Sequence, residues 1–288
     1  MNNQVITNIL FGPWRPKPHY PTYPPYCDGE YLEDRFFREF SWRNVQLPRT
    51  YIPVAWTTCY VDNNRRDLQR QLDTLSPLAK YFTVSQHDDA VMERLPPDTV
   101  VFSAGGNRGD IPIPLICSPI PDNVKGDLNV EKDIFCSFVG SMTHPVRHQL
   151  VNRFQSDPEF KFVTKGWGPS PTTDELATFV DITKRSKFAL APRGYGKTSF
   201  RLYEVMQLNT VPVYVSDEHW LPWTDVLDWN EFAVIVKAEE IEHLDMKLKN
   251  ISDDRYQQML DNLKEVWPKY FSMNALFGQI CVRVHQLP

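Results

Sequence analysis

Short apolar runs alternate along this chain with polar stretches whose apolar residues recur at helical spacing. Runs at 51–61, 81–85, 99–104 and 111–120 are rich in Tyr, Phe, Val and Ile and read as buried strands. A helix is expected over 65–75, with Asp62 or Asn63 as its N-cap. The second half repeats the alternation more regularly. Strands are expected at 134–139, 160–164, 188–191, 211–215 and 232–236. Helices are expected between them over 145–154, 173–185 and 199–208, with a short one near 220–227. The tail, 253–286, reads as two helices broken near Pro268.

Strands that alternate with helices predict parallel sheets covered by helices. The fold class is therefore α/β, with two facing Rossmann-like domains and C-terminal helices. A Pro-, Asp- and Gly-containing stretch at 119–127 marks the boundary, giving domains 1–125 and 126–288. Ahead of the first strand, residues 11–26 interleave Pro13, Pro16, Pro18, Pro21, Pro24 and Pro25 with Phe11, Trp14, Tyr20, Tyr23 and Tyr26. Proline fixes φ and removes donors, so this segment reads as an extended arm packed on the surface. Its other reading is a lip whose aromatic faces stack on sugars.

Composition narrows the function classes. At 288 residues, 42% hydrophobic and 23% charged, the chain is an ordinary globular protein. A net charge of −5 argues against a nucleic-acid binder held by a global positive field. The five cysteines, Cys27, Cys59, Cys117, Cys136 and Cys281, are scattered, without CxxC or Cys/His zinc spacing. Four lie in or beside apolar runs, which suggests buried thiols in a reducing compartment. The apolar stretch at 5–11 is too short for a signal peptide or a membrane span, so a soluble, cytoplasmic protein is expected.

The chemistry concentrates at 186–217. Its pattern is strand, glycine turn, helix, second strand. Arg193, Lys197 and Arg201 flank Gly194 and Gly196, and Ser199 precedes the helix. Glycines let a backbone approach a phosphate, helix N-termini offer free N–H groups, and the three cations can neutralise a diphosphate. Glu204 lies one helical turn beyond Arg201, placed to accept from sugar hydroxyls or, more blandly, to form a surface ion pair with Arg201. In strands of this kind ligands bind beyond the carboxyl ends.

Residues 191–198 also come close to the GxxxxGK[ST] phosphate loop, with Ala191 in place of its first glycine and Asp217 after the next strand. A P-loop-like, ATP-dependent kinase is thus one alternative. Against it stand the missing glycine, the stiffening by Pro192 and Arg193, and the separate α/β unit in the first half.

A longer stretch of chain supports another reading. Gly194-Tyr195, Ser199-Phe-Arg201, Glu204, Val211-Pro-Val213, Leu221-Pro-Trp223 and Leu227-Asp-Trp229 follow one another in order. This series resembles the exostosin-like glycosyltransferases, a family that includes heparan sulfate polymerases and plant xylosyl- and galactosyltransferases. Upstream, Phe138-Val-Gly140 with Arg147, the segment YFTVSQHD at 81–88 and DIPIPL at 110–115 are similar to further segments of that family. One departure is visible: Asp89-Ala90 follows His87-Asp88 where the family usually has glycine. The compact form resembles members encoded by large viruses or microbes, which would place the protein in a host cytoplasm if a virus encodes it.

The resemblance implies a GT-B architecture and transfer of a sugar from a UDP-sugar to a hydroxyl of a glycan acceptor. It implies inversion at the anomeric carbon, no metal and no cofactor. The chain agrees to the extent that it contains no Asp-x-Asp triplet. UDP-xylose is the expected donor and a β linkage the expected product. The partners implied are the UDP-sugar and an oligosaccharide or glycoprotein glycan, with no nucleic acid and no membrane span.

Arg193, Lys197, Arg201 and Ser199, with Gly194 and Gly196, would hold the diphosphate. Glu204 would accept from the ribose, and Tyr195 would stack on the base or pack within the turn. Gly140 and Arg147 would approach the diphosphate from the opposite side, Arg147 being otherwise a solvated helix charge. Single-displacement inversion needs a base for the acceptor hydroxyl. Asp88 is the first candidate and Asp89 the second, beside His87, with Asp62 in reserve. Alternatively, the two aspartates cap a following helix. A non-catalytic glycan-binding protein on the same fold is the last alternative.

Overall fold

The computed structural model describes residues 3–16, 30–116, 119–168 and 171–288. Tyr20, Tyr23, Tyr26, Cys27 and Cys117 lie outside the described residues. The chain divides into two compact units, Met1–Ser118 with Met273–Pro288, and Pro119–Ser272. The boundary thus falls at 118/119 rather than 125/126, and the C-terminal segment joins the first unit instead of the second.

In the first unit the elements are α1 (Asn3–Leu10), α2 (Leu32–Arg43), β1 (Thr50–Tyr51), α3 (Trp56–Val61), α4 (Leu68–Leu72), β2 (Tyr81–Ser85), β3 (Thr99–Ser103) and β4 (Ile111–Pro112). The strands form one parallel sheet in the order β1-β2-β3-β4. Two expected strands are much shorter than their apolar runs. Over 51–61, Ile52 N still donates to Phe82 O at 2.9 Å. Pro53 then offers no donor, and the chain turns into α3. Over 111–120, Pro112 and Pro114 end β4 in the same way. The expected helix over 65–75 shrinks to α4 because Asp67 takes a left-handed φ of 64° at its start. Asp62 is the C-cap of α3 instead of an N-cap.

Phe36 centres this core. It is fully buried and contacts the rings of Tyr51, Phe82 and, at 5.2 Å between centroids, Phe277. In the arm, Phe11 and Trp14 are buried in the cluster that contains Ile52, Val54 and Trp56. For these two aromatics, packing replaces the sugar-stacking alternative.

The second unit contains α5 (Asp122–Lys125), β5 (Ile134–Ser141), α6 (Pro145–Phe154), β6 (Phe160–Lys165), α7 (Thr173–Lys184), β7 (Ser186–Pro192), α8 (Phe200–Met206), β8 (Val211–Ser216), β9 (Val234–Lys237), α9 (Leu244–Lys249) and α10 (Asp253–Val266). Its five strands are all parallel, in the order β6-β5-β7-β8-β9. The order reverses between β5 and β7. Helix α6 starts where expected because Pro145 occupies its first turn and the His144 side chain caps it. No helix forms at 220–227. There Trp223 adopts a φ of 63°, and its buried indole donates to Tyr270 O at 3.1 Å. The tail breaks at Pro268 through a single π turn, Trp267–Phe271, before α11 (Met273–Gln286). Among the described residues no helix is long and apolar enough to cross a membrane. The two parallel α/β units agree with the expected fold class.

Phe36→Ala leaves a cavity shared by α2, the sheet and α11. It is expected to cost about 3–5 kcal/mol in urea unfolding. Amide exchange should rise in α2 and α11 together.

Candidate active site

Strand order reverses between β5 and β7, and open parallel sheets bind ligands beyond the carboxyl ends of their strands at such a reversal. Pairing of β5 with β7 runs to Ser137–Ala189, whereas β5 stays paired with β6 as far as Ser141–Lys165. Arg147, from the first turn of α6, fills the gap. It is only 8% exposed. Its Nη1 donates to Ser141 O at 2.6 Å, its Nε to Arg193 O at 2.9 Å and its Nη2 to Pro192 O at 3.1 Å. Nη2 also reaches Ser199 Oγ at 3.3 Å. Burial, and then the Arg201 charge, pull its pKa down to about 10, so it is still a cation at neutral pH. Arg147 is therefore neither a solvated helix charge nor an open phosphate ligand. It is a brace that joins two strand ends.

Gly140 belongs to the same brace. A Cβ there would lie 2.9 Å from Phe138 Cζ, and the Phe138 ring lies 5.7 Å from the Arg147 guanidinium. Gly140 is buried beneath this ring and does not border an open approach to a ligand. Gly194 also passes near the brace, since a Cβ there would meet Arg147 Nη2 at 3.3 Å.

The structure brings the three expected cations together on the turn between β7 and α8, each with a carboxylate. Arg193 Nη1 pairs with Asp217 at 2.5 Å, Lys197 with Glu218 at 2.5 Å, and Arg201 with Glu204. Arg201 also lies 3.8 Å from the centroid of Phe179, so its pair with Glu204 is partly desolvated and more than a surface contact. Ser199 caps α8, its Oγ accepting from Arg201 N. Tyr195 is 61% exposed, which leaves stacking on a ligand open. Gly196 is buried within the turn.

This geometry counts against a phosphate loop. Ala191 and Pro192 still belong to β7, paired with Tyr214 and Val215, so the loop is too short to wrap a phosphate. Thr198 is 2% exposed, and its hydroxyl faces the interior.

The first unit places a second cluster beyond β2. Residues 86–90 form a turn in which Ala90 N donates to His87 O at 2.9 Å. No helix follows, so Asp88 and Asp89 are not helix caps. Ala90, in the pair that stands where glycine was expected, takes a φ of 50°, a conformation that glycine adopts without steric cost. Asp89 Oδ1 accepts from Asn107 Nδ2 at 3.1 Å, and Asn107 N donates to Asp88 O at 3.0 Å. Burial pulls the His87 imidazole below its ordinary value of 6.5, with the Asp89 charge opposing. The ring is neutral at neutral pH. Its Nδ1 accepts from Asp89 N at 3.2 Å, so the proton sits on Nε2. With its Nδ1 occupied by the Asp89 amide, His87 presents an Nε2–H to donate, and Asp88 and Asp89 stand as the carboxylate candidates for the base. Asp62 ends α3 and is not part of this turn.

The model of the exostosin GT47 domain matches residues 81–251, more than half of the chain. The chain belongs to the exostosin GT47 family. A probable glycosyltransferase of Arabidopsis thaliana is 28% identical over 175 residues, which is 58% of this chain and 32% of that relative. A probable glucuronosyltransferase of Oryza sativa subsp. japonica is 35% identical over 126 residues, 43% of this chain and 28% of the relative. The matched stretch spans about a third of the length of these curated relatives. A glycosyltransferase involved in avilamycin A biosynthesis superposes with a TM-score of 0.42 and 11% identity over 95% of each chain.

The exostosin match includes both clusters, from the β2 turn through the cationic turn. Three residues within these two clusters were not singled out in the sequence. His144 caps α6 through Nδ1, and burial and the Arg193 charge hold it below its ordinary value; Pro145 after it was the available signal. Gly105 packs directly on Asp88, and the Gly105-Gly106 pair was its signal. Asn107 orients Asp89 and had no signal. The Leu221–Trp229 motif is structural, since Trp229 Nε1 donates to Pro222 O at 2.8 Å and its ring lies 5.1 Å from that of Phe271. Among the described residues no group of three or more His, Cys, Asp or Glu is placed to hold a metal ion.

Gly105→Ala would put a Cβ 2.2 Å from Asp88 Cα. The substitution is expected to destabilise by at least about 2 kcal/mol in urea unfolding and to shift the His87 NMR signals. His87 also sets an acid dependence. As pH falls below 6.5, the unfolded chain takes up this proton before the folded chain does, so stability falls. His87→Asn keeps an acceptor for Asp89 N. It should show a smaller loss of unfolding free energy between pH 7 and pH 5.

Proposed function

We propose that this chain is an inverting, metal-independent glycosyltransferase that moves a sugar from a UDP-sugar to a hydroxyl of a glycan. The observation that carries this reading is the cationic turn at the strand-order reversal, with Arg193, Lys197, Arg201 and Glu204 gathered beside the Arg147 brace. Family membership supports it. Arg193, Lys197 and Arg201 would exchange their carboxylate partners for the diphosphate and stabilise the charge that grows on it as it leaves. Glu204 would accept from the ribose hydroxyls, and Tyr195 would cover the base.

In the reaction the acceptor oxygen forms a bond to the anomeric carbon while the bond from that carbon to the diphosphate breaks. The hydroxyl proton passes to Asp88, with Asp89 as the second candidate, and UDP departs. Xylose is the sugar expected from the wider resemblance. The rice relative's name, a probable glucuronosyltransferase, makes UDP-glucuronic acid the competing donor.

The test is calorimetry with UDP, then UDP release from UDP-xylose and from UDP-glucuronic acid with a panel of oligosaccharides. UDP should bind, one donor should turn over, and EDTA should change neither result. Arg201→Ala and Glu204→Ala should each weaken UDP at least about tenfold, the loss of one charge-assisted hydrogen bond. Binding of ATP with Mg²⁺ in place of UDP would overturn the reading. Glycan binding without release of UDP from any donor would convert it to the non-catalytic alternative.

A further inference from the structure

A buried carboxylate in the first unit lies outside the residues assigned so far. Glu33, in the first turn of α2, is fully buried. Its Oε1 accepts from Thr57 N at 2.7 Å and its Oε2 from Gln86 N at 2.9 Å. Gln86 answers with its own side chain, whose Oε1 accepts from Leu32 N at 3.1 Å. Residues 32, 33, 57 and 86 are thereby tied into one knot. It joins the start of α2, the start of α3 and the carboxyl end of β2.

Among the described residues Glu33 has no ion-pair partner. Burial raises the pKa of Glu33, and the hydrogen bonds it accepts from Thr57 and Gln86 oppose that rise. A neutral apolar side chain would serve the core better. What a carboxylate supplies is two acceptor oxygens and no donor, so it can hold two amides at once. One of these amides is Gln86 N, the residue immediately before His87. From the other side Tyr60 contacts the His87 ring at 4.8 Å between centroids, and its hydroxyl accepts from Met92 N at 2.9 Å. Gly105 closes the floor.

We infer that Glu33 is a positioning residue for the turn that carries His87, Asp88 and Asp89, acting through the Gln86 amide. The inference rests on the proposed transferase reading for its consequence in catalysis, but not for its geometry. Glu33 touches no reacting group. It sets the direction in which the two candidate bases leave the sheet.

Glu33→Gln tests this, because glutamine matches the shape but replaces one acceptor oxygen with a donor. The first readout is amide exchange, which should accelerate at least tenfold at Gln86 or Thr57 and in the turn after Gln86. The second is UDP affinity, which the cationic turn of the other unit provides and which should stay within twofold. The third is slow hydrolysis of UDP-xylose and UDP-glucuronic acid, with water in place of the glycan. There kcat should fall at least tenfold while KM for the donor stays within twofold. Glu33→Asp, with its carboxylate drawn back, should show an intermediate loss.

Unchanged exchange at both amides, or an unchanged kcat, would overturn the inference. So would a variant whose melting temperature and UDP affinity collapse together, since that makes Glu33 a folding residue. If the wild-type protein takes no UDP, the transferase reading fails, and the exchange experiment alone decides the positioning role.

Discussion

The buried guanidinium of Arg147 is the constraint on which the second unit's site depends. Strand order reverses between β5 and β7, and their pairing stops short of their carboxyl ends. That leaves carbonyls of Ser141, Pro192 and Arg193 facing a gap. A buried carbonyl without a donor is costly, and one planar side chain with several fixed donors satisfies all three. Lysine could not reproduce this fork. The same side chain lies tight against the space a Cβ at Gly194 would take, reaches Ser199 at the cap of α8, and places a positive charge beneath the turn. Loop shape, helix start and charge are set together.

Charge balance follows from that geometry. Arg193, Lys197 and Arg201 each hold a carboxylate, so the turn is compensated in the absence of a ligand. A diphosphate bound as proposed would bring its own negative charge and exchange with these partners. The pairs differ in how readily they can open. Glu218 is well exposed, while Glu204 and Arg201 are partly desolvated against Phe179. Exchange is therefore easiest at Lys197, and the Arg201–Glu204 pair is the rigid end of the turn.

The first unit solves a similar problem with the opposite charge. The turn beyond β2 has no helix to carry it, and contacts from distant segments hold it instead. Glu33 holds Gln86, Asn107 holds Asp88 and Asp89, Tyr60 holds His87, and the bare backbone of Gly105 lies beneath. Ala90 is kept left-handed inside this frame despite its Cβ. Such over-determination keeps two carboxylates and a neutral imidazole in fixed relation on a short loop.

Local chemistry made much of this legible beforehand. Helix α6 followed from Pro145 and its apolar spacing, and the strand, cationic turn and helix at 186–206 followed from β-branched runs, glycines and Ser199. The apolar runs at 51–61 and 111–120 misled because prolines inside them removed the donors that a strand needs. Arg147 read as a diphosphate ligand or a solvated helix cation, and Glu33 drew no notice. Their roles come from carbonyls and amides that only the folded chain brings near them. The tail's two helices were visible as a period broken at Pro268, but their membership in different units was not, because Phe277 reaches Phe36 from the far end of the chain. By itself the sequence determined the elements and the residue types at the turn, since propensity and motif act over a few residues. Tertiary structure alone decided which of those residues brace and which stay available to a ligand. Buried polar groups must find partners, and those partners lie far away in sequence.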